Sequence, residues 1–412
     1  LYLASRSLTE DRRRELVDLC VDMGVKVKKI STYSDMLRES EISLTDLSIS
    51  DLIPRKNLDA NDFDMGYLEG KNIMVTGAGG SIGSELSRII SSIKINSLTL
   101  IDISEASLFS ISEEIKEISK ETKLFPLILD IKDHDKVNHA IKKFQPDIIY
   151  HAAAYKHVPI LENKNNYREA LENNFFATCN LVDLALENNI EKFIFVSTDK
   201  AVRPTNIMGS SKRMAELYIQ TRSAQTHKTS LSSVRFGNVM NSSGSVIPIF
   251  RRQIKNGGPV TVTHPEIIRY FMTIGEAAYL VIITSIISSS SAVYMLKMGD
   301  PVRILDIAKK MIKLSGNAIK DKNNKEGIEI IFTGLRPGEK LYEELLVSEK
   351  DIKTDHPKIF LDTSSKEISS EEFEEIKKNI HDYLHEDDIK NLQLILKKYA
   401  DYVNDNVSIL DT

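Results

Sequence analysis

The sequence predicts an α/β protein with a doubly wound parallel sheet and a smaller C-terminal substrate-binding domain. Between residues 70 and 235, short apolar runs alternate with helical patterns, which is typical of parallel strands joined by helices. A glycine-rich turn follows the first of these apolar runs, at the edge where such sheets bind ligands. From residue 236 the alternation gives way to loops rich in Gly and Pro, short strands and two helices, as expected of a substrate-binding domain.

The same patterns divide the 412 residues into four segments. They are a partial N-terminal α/β segment with a polar connector (1–68), the sheet domain (70–235), the substrate-binding elements (236–362) and a C-terminal helical tail (363–412). The N-terminal segment, with a helix at Thr9–Met23 and a strand at Val25–Ile30, is too short to bury a core of its own. The tail has a helical pattern between Glu371 and Tyr399 and carries no catalytic signal. The six strands predicted for the sheet domain are Asn72–Thr76, Ser97–Ile101, Leu124–Leu129, Asp147–His151, Phe193–Ser197 and Ser230–Arg235.

Composition and charge exclude several classes of protein. A net charge of −5 provides no basic field for nucleic acid. The two cysteines, Cys20 and Cys179, exclude a disulfide framework and favour a reducing cytosolic setting. No metal is predicted, because His381 and His385 share a helix face without a third ligand. No apolar run reaches the roughly 18 residues of a membrane-spanning helix, and we interpret Leu1, in place of an initiating Met, as a boundary within a longer chain.

The glycine-rich turn predicts a dinucleotide site. Gly77, Gly80 and Gly83 have the T-G-x-x-G-x-x-G spacing between a strand and a helix, the context that this motif requires. Glycine allows the tight turn, close approach of the backbone to a pyrophosphate, and packing of the helix on the strand. The first amides of the helix, at Ser81 and Ile82, are then available to phosphates. No Gly-Lys-Ser/Thr follows, so the turn is not a P-loop.

Three further strand ends contribute to this site. Asp102 ends the second strand about 20 residues after the glycines, where a carboxylate accepts ribose hydroxyls and favours NAD over NADP. Asp130 and Ile131 close the third strand and are candidates to read the adenine edge. Ala152 and Ala153 end the fourth strand and are small enough to lie under the pyrophosphate. The sheet is therefore predicted to be of the Rossmann type, with NAD as cofactor.

A second group of residues predicts chemistry at the end of the fifth strand. Thr198, Asp199 and Lys200 follow that strand, and Met208 and Lys212 lie one turn apart on one face of the next helix. A Tyr-x-x-x-Lys pair at this place would indicate a short-chain dehydrogenase/reductase with Tyr as the proton donor and acceptor. Met cannot transfer a proton, so the adjacent acid and amine are the candidates for proton transfer.

Taken together, these motifs resemble those of extended short-chain dehydrogenase/reductases that act as nucleotide-sugar 4,6-dehydratases. The nearest branch is the C5-retaining, membrane-anchored UDP-N-acetylglucosamine 4,6-dehydratases of bacterial surface-polysaccharide and glycan pathways. The resemblance extends from about residue 1 to residue 360, with one departure at Gly275, where such proteins are expected to have Pro. It rests on the segments 76–83, 151–159, 197–200, 208–212, 234–239, 244–248, 258–264, 269–273 and 334–340.

The resemblance implies a reaction and a role for each catalytic candidate. NAD takes a hydride from C4 of the sugar, a base removes the C5 proton while an acid protonates the departing C6 hydroxyl, and the hydride returns to C6. Asp199 is then the acid, Lys200 the base, and Thr198 the partner of the C4 hydroxyl, with Lys212 holding the nicotinamide ribose. Met208 occupies the Tyr position, so the base for the C4 hydroxyl stays unassigned. Our hypothesis is that Thr198 relays that proton to Lys212 through water or the ribose.

The resemblance also implies the substrate contacts. The candidates for the diphosphate, the uridine and the sugar are Lys156, His157, Asn174, Asn238, Val246 (within the Gly244–Phe250 segment), Arg269, Arg336 and Glu339. The expected partner is UDP-N-acetylglucosamine. We further expect a homo-oligomer, no binding to nucleic acid, and a place at the cytoplasmic face of the bacterial inner membrane through a region that precedes this sequence.

Three alternatives stay open at this point. A C5-inverting dehydratase of the same superfamily would have Tyr where this chain has Met208. A UDP-sugar 4-epimerase would have no use for the Asp199–Lys200 pair. A catalytically silent NAD-binding scaffold agrees with the missing Tyr.

Overall fold

The computed structural model describes residues 63–402 except 225–227, 241, 289–291, 322–324, 345–350 and 363–367. Before residue 63 it describes residues 2–3, 12, 15–16, 19–20, 23, 25, 28–30 and 44–46. The chain divides into two compact units. The smaller unit comprises Leu1–Leu58, Asn238–Thr273 and Gly299–Arg336, and the larger unit comprises Asp59–Gly237, Ile274–Met298 and Pro337–Thr412.

The regular elements within the described residues are as follows. The strands are β1 (Tyr2–Leu3), β2 (Lys28–Ile30), β3 (Leu44–Asp46), β4 (Asn72–Thr76), β5 (Ser97–Asp102), β6 (Lys123–Ile128), β7 (Ile148–His151), β8 (Lys192–Val196), β9 (Ser230–Arg235), β10 (Asn238–Val239), β11 (Val260–Val262), β12 (Ile268–Met272), β13 (Ala292–Leu296), β14 (Pro301–Arg303), β15 (Ile330–Phe332), β16 (Ile352–Lys353) and β17 (Ile359–Leu361). The helices are α1 (Ser81–Ser91), α2 (Glu105–Ile118), α3 (His134–Phe144), α4 (Val158–Leu161), α5 (Tyr167–Leu171), α6 (Ala177–Glu187), α7 (Ile207–Ser223), α8 (Val246–Lys255), α9 (Ile274–Ile287), α10 (Ile304–Leu314), α11 (Ser370–His385) and α12 (Ile389–Ala400). A π-helical turn (Glu172–Phe176) joins α5 to α6, and short 3₁₀ turns lie at Gly66–Leu68, Lys164–Asn166 and Asp199–Ala201.

In the described part of the larger unit, nine strands form one sheet in the order β16-β17-β13-β9-β8-β7-β4-β5-β6. The run from β13 to β6 is parallel throughout, and β17 and β16 extend it antiparallel. Chain order reverses between β4 and β7, which is the switch point where doubly wound sheets bind ligands. The central strands β4, β7 and β8 are almost entirely buried, as expected when helices cover both faces of a parallel sheet.

The predicted doubly wound sheet is therefore confirmed, and the six predicted strands are present with shifts of one residue or none at each end. Sequence analysis did not predict that β13, β16 and β17 join the same sheet. As a result, the predicted segment 236–362 is shared between the two units.

Helices from distant parts of the chain cover the sheet. The apolar helix α9 is buried on all sides in its central part and packs against α1. Helices α11 and α12 pack on α7, and the buried side chains Phe373, Ile376 and Ile380 of α11 join the same apolar core as Tyr218 of α7. The predicted helical tail is thus part of the core of the larger unit. Among the described helices, none is long and apolar enough to cross a membrane.

In the smaller unit, the described strands form three small sheets, with the orders β1-β2-β3, β10-β12-β14 and β11-β15. Strand β10 is parallel to β12, with Asn238 opposite Phe271. Of the predicted N-terminal elements, residues 12, 15–16 and 19–20 are helical and Lys28–Ile30 is a strand. The other residues of those two predicted elements lie largely outside the described residues.

Candidate active site

The glycine-rich turn connects β4 to α1 with little free space around it. Gly77 has a φ of +67°, and a Cβ built there would lie 2.6 Å from the N and Cα atoms of Ala153. A Cβ at Gly83 would lie 2.0 Å from the carbonyl oxygen of Gly77. Glycine is therefore required at both positions, and the end of β7 lies directly against the turn. Since α1 begins immediately after the turn, its N-terminal end faces this place.

Asp102 ties the end of β5 to the same turn. Its Oδ2 atom accepts a hydrogen bond from the amide of Gly79 at 2.8 Å, and its Oδ1 atom accepts one from the amide of Ser104 at 2.8 Å. Gly79 was not among the predicted residues, although a Cβ there would lie 2.4 Å from Cβ of Ser107. The carboxylate thus lies beside the backbone that a pyrophosphate would approach.

The remaining predicted cofactor residues lie around this turn. Asp130 follows β6 and accepts a hydrogen bond from the amide of Lys132 at 2.9 Å. The side chain of Ile131 is buried in the apolar core, so only its backbone can contact a ligand. Ala152 donates its amide to the carbonyl oxygen of Thr76, which joins the ends of β7 and β4.

Thr198, Asp199 and Lys200 form one hydrogen-bonded group at the end of β8. The Thr198 hydroxyl and the Lys200 ammonium both donate to Oδ1 of Asp199, over 2.9 and 3.0 Å. The side chain of Asp199 is 3% exposed and that of Lys200 is 20% exposed. The amide of Asp199 donates to the carbonyl oxygen of Phe236 at the end of β9. Two adjacent parallel strands therefore fix a buried carboxylate with two donors on one oxygen.

Two neighbours of this group were missed by sequence reasoning. A Cβ built on Gly237 would lie 2.9 Å from Oδ2 of Asp199, so the carboxylate fills the space of a side chain. The side chain of Glu343, which is 3% exposed, places its Oε1 atom 3.5 Å from Nζ of Lys200. Both residues stand inside or beside the motifs that carry the resemblance, but spacing along the chain does not reveal either contact.

Lys212 on α7 is buried beneath the end of β8. Its ammonium donates to the carbonyl oxygen of Val196 at 2.9 Å and lies 4.2 Å from the centre of the Phe195 ring. Burial lowers the pKa of Lys212 to about 7. A substantial fraction of the amine is consequently neutral near pH 7 and able to accept a proton.

Met208, one turn before Lys212, is 4% exposed and belongs to the apolar core. In the described contacts the Thr198 hydroxyl donates to Asp199, and Lys212 donates to the backbone of β8. A proton relay from Thr198 to Lys212 therefore needs a bridging group, and it stays a hypothesis.

Asn174 lies in the π-helical turn and is fully buried. Its side chain binds both backbone groups of Tyr155 in the loop after β7, accepting from the amide at 2.8 Å and donating to the carbonyl at 2.9 Å. It also donates to the hydroxyl of Ser211 on α7 at 3.1 Å. The amide thus holds the loop that carries the candidates Lys156 and His157, and burial lowers the pKa of both of these side chains. π-Helical turns are often found at functional sites.

The other substrate candidates lie in different parts of the chain. Asn238 on β10 and Arg269 on β12 lie on paired strands of the smaller unit, and Arg269 donates to the carbonyl oxygen of Ile268. Val246 begins α8 in that unit. Arg336 is the last residue of the smaller unit, whereas Glu339 belongs to the larger one. Among the described residues, no group of three or more His, Cys, Asp or Glu side chains could hold a metal ion.

The sequence is similar to a known protein family and to individual proteins. The model of a family described as polysaccharide biosynthesis protein matches residues 73–364. The capsular polysaccharide biosynthesis protein CapD of Staphylococcus aureus is 43% identical over 353 residues, which cover 84% of this chain and 57% of that protein. The chain therefore spans little more than half the length of this curated relative.

Two further proteins are similar over a shorter part of the chain. A UDP-glucose 4-epimerase of Rickettsia rickettsii is 35% identical over 292 residues, covering 69% of this chain and 80% of that protein. The crystal structure of Pen from Bacillus thuringiensis superposes with a TM-score of 0.64 at 31% identity, covering 77% of this chain and 98% of that chain.

Proposed function

Because the chain belongs to the polysaccharide biosynthesis protein family, we propose that it is an NAD-dependent 4,6-dehydratase of UDP-N-acetylglucosamine that retains the configuration at C5. The buried group of Thr198, Asp199 and Lys200 carries this proposal. Loss of water across C5 and C6 needs a base at one carbon and an acid at the next, and adjacent residues at a strand end provide both. The product is the UDP-linked 2-acetamido-2,6-dideoxy-4-keto-hexose.

The residues around the glycine-rich turn fit a dinucleotide. The turn has no room for side chains at Gly77 and Gly83, which leaves backbone amides to face the phosphates. Asp102 is the candidate to accept the ribose hydroxyls, and Lys212 is the candidate for the nicotinamide ribose. When bound, NAD would supply an acceptor for the C4 hydride and return that hydride to C6.

The contact between Lys200 and Asp199 supports the two roles. In the ion pair, the Lys200 ammonium donates to the Asp199 carboxylate at 3.0 Å. Transfer of that one proton gives a neutral amine and a carboxylic acid, which are the base and the acid that the elimination needs. Lys200 then takes the C5 proton, Asp199 protonates the departing C6 hydroxyl, and water leaves. The ion pair is restored at this point. When C6 takes the hydride back, the Lys200 ammonium returns a proton to C5, and the proton released from the C4 hydroxyl closes the balance.

A UDP-sugar 4-epimerase is the second candidate function, because the Rickettsia relative carries that name. An epimerase changes the configuration at C4 and breaks no bond at C5 or C6. The Asp199–Lys200 pair would then have no proton to move at C5 or C6.

Incubation of the protein with UDP-N-acetylglucosamine and NAD in D₂O, followed by NMR, tests the proposal. We expect deuterium at C5 together with a new C6 methyl group, and the C5 configuration distinguishes retention from inversion. Inversion at C4 alone would show an epimerase, and an unchanged sugar would favour a silent scaffold.

Lys200→Met should lose the C5 deuterium and the methyl signal, since no other residue of the group replaces its amine. Lys116→Met is a matched control, because that side chain is 62% exposed on α2. Full turnover by the Lys200 variant would contradict its role as the base.

A further inference from the structure

We propose that Glu343 is a positioning residue for Lys200, and this inference rests on the proposed function. It begins with the segment from Gly338 to Glu344, which lies against the turn after β8. The carbonyl oxygen of Gly338 accepts hydrogen bonds from Thr205 Oγ1 at 2.9 Å and from Asn206 Nδ2 at 3.1 Å. Gly338 has a φ of +72°, and a Cβ there would lie 2.8 Å from Cβ of Asn206. The start of the segment is therefore fixed at close range.

The end of the segment is held by ion pairs and a backbone contact. Lys340 donates to the carbonyl oxygen of Val202 at 3.0 Å, and its Nζ atom lies 3.5 Å from Oε1 of Glu344. Glu344 also accepts a hydrogen bond from Arg203. These contacts bracket Glu343 on both sides, so its position relative to the turn does not depend on its own side chain alone.

The Oε1 atom of Glu343 lies 3.5 Å from Nζ of Lys200, which also contacts its chain neighbour Asp199 at 3.0 Å. The side chains of Glu343 and Asp199 are each 3% exposed, so the ammonium of Lys200 lies beside two buried carboxylates. Burying a carboxylate is costly unless an opposite charge or hydrogen bonds compensate it. Lys200 is a cation 3.5 Å from Oε1 of Glu343, so the pairing offsets part of this cost.

The consequence concerns the placement of the amine. A lysine ammonium is a compact charge on a flexible four-carbon stem, so a single contact does not fix its position. With contacts to Asp199 at 3.0 Å and to Glu343 at 3.5 Å, Nζ is held where the proposed proton transfer to Asp199 begins. Glu343 acts through Lys200 and not on the sugar, so its loss should lower kcat and leave KM for the UDP-sugar nearly unchanged.

Glu343→Gln tests this role, with Glu113→Gln as the control, whose side chain is 50% exposed on α2. We expect kcat of Glu343→Gln to fall by roughly tenfold or more with KM changed less than about twofold, because misplacement of a reacting group acts on the chemical step. Glu113→Gln loses only an exposed pair with Lys116 and should keep its kcat within about twofold. Equal losses in both variants, or a rise in KM alone, would overturn the proposal.

A second measurement does not depend on the reaction. Acetylation of Lys200 by sulfo-N-hydroxysuccinimide acetate, read by peptide mass spectrometry, should be about tenfold faster in Glu343→Gln than in the unmodified chain, because Nζ on its flexible stem is then held by one carboxylate instead of two and reaches the reagent more often. The control variant should match the unmodified chain. If the chain fails to dehydrate the sugar but Lys200 shows this difference, the proposed function fails and the positioning role stands. Unchanged acetylation in Glu343→Gln overturns the positioning role.

Discussion

At Gly237 the backbone approaches the carboxylate of Asp199 so closely that no side chain fits between them. A Cβ there would lie 2.9 Å from Oδ2 of Asp199 and 3.1 Å from Cε of Met298. Asp199 is buried and already holds two donors on its other oxygen. The position of the candidate acid, Asp199, therefore depends on the absence of a side chain at Gly237.

We predict that Gly237→Ala lowers kcat by roughly tenfold or more, because the carboxylate must move by a few tenths of an ångström or turn away from Lys200. Steady-state dehydration of UDP-N-acetylglucosamine measures the effect, with a thermal melt to confirm folding. Gly275→Ala is the control, since a Cβ there would lie at an ordinary 3.5 Å from Oε1 of Glu85. Normal turnover by Gly237→Ala would show that Asp199 does not need this position.

Candidate site residues could be identified from the sequence where their neighbours in the chain form a recognisable motif. Asp199 and Lys200 follow a strand, and Gly77 and Gly83 stand in a spaced motif, so local pattern was sufficient to select them. Glu343 could not be selected this way, because its partner lies more than a hundred residues earlier in the chain. Contacts of that kind are set by how segments pack and not by spacing.

At the scale of elements, a buried ionic network joins β9 to α7 beneath the candidate site. Arg235 donates from Nε and Nη2 to the two carboxylate oxygens of Glu216, over 2.8 and 2.6 Å, and from Nη1 to Asp362 at 2.6 Å. Glu216 also accepts from the hydroxyl of Ser197 at 2.6 Å, directly before Thr198. The network therefore fixes the end of β8 as well as the two elements it joins.

Glu216→Gln should lower the free energy of unfolding by about 3 kcal/mol or more, because it leaves the charge of Arg235 buried with one carboxylate fewer. Urea unfolding followed by circular dichroism measures this change. Glu113→Gln on α2 is the control, since its pair with Lys116 is exposed and should contribute less than about 1 kcal/mol. Equal effects of the two substitutions would show that the buried network adds nothing to stability.

The elements themselves were predictable to different degrees. The parallel strands β4 to β8 stand out because each contains an apolar run between helical patterns. Strands β13 and β17 are equally short and apolar, but only their pairing with β9 and with each other assigns them to the main sheet. The π-helical turn could not be predicted from the sequence, because its residues continue the pattern of an ordinary helix.

At the scale of the whole molecule, the buried amine of Lys212 makes folding depend on pH. Its pKa falls to about 7 in the folded state because of burial, whereas in the unfolded chain the pKa keeps the ordinary lysine value of 10.5. Below pH 7 both states carry the proton, and the folded state bears the full cost of a buried ammonium. Between pH 7 and about 10 the unfolded state binds more protons, so the contribution of Lys212 to stability rises with pH.

Lys212→Met removes this titration. We predict that the difference in unfolding free energy between the unmodified chain and Lys212→Met grows in favour of the unmodified chain by up to about 1.4 kcal/mol per pH unit from pH 7 to 10. Urea unfolding at several pH values, without added cofactor, measures this difference. The contributions of the other titratable groups are common to both proteins and cancel. A constant difference across this range would show that the ammonium is not desolvated in the folded state.

The packing of α11 and α12 on α7 has a consequence for how the protein is made. Helix α7 carries Lys212, yet part of its covering comes from side chains such as Phe373 and Leu396, which the ribosome adds much later. While the chain is still being synthesised, that flank of α7 is open and apolar, and the larger unit has to wait for these helices before its core closes. A nascent chain halted before residue 370 is therefore the state in which this protein would most depend on a chaperone.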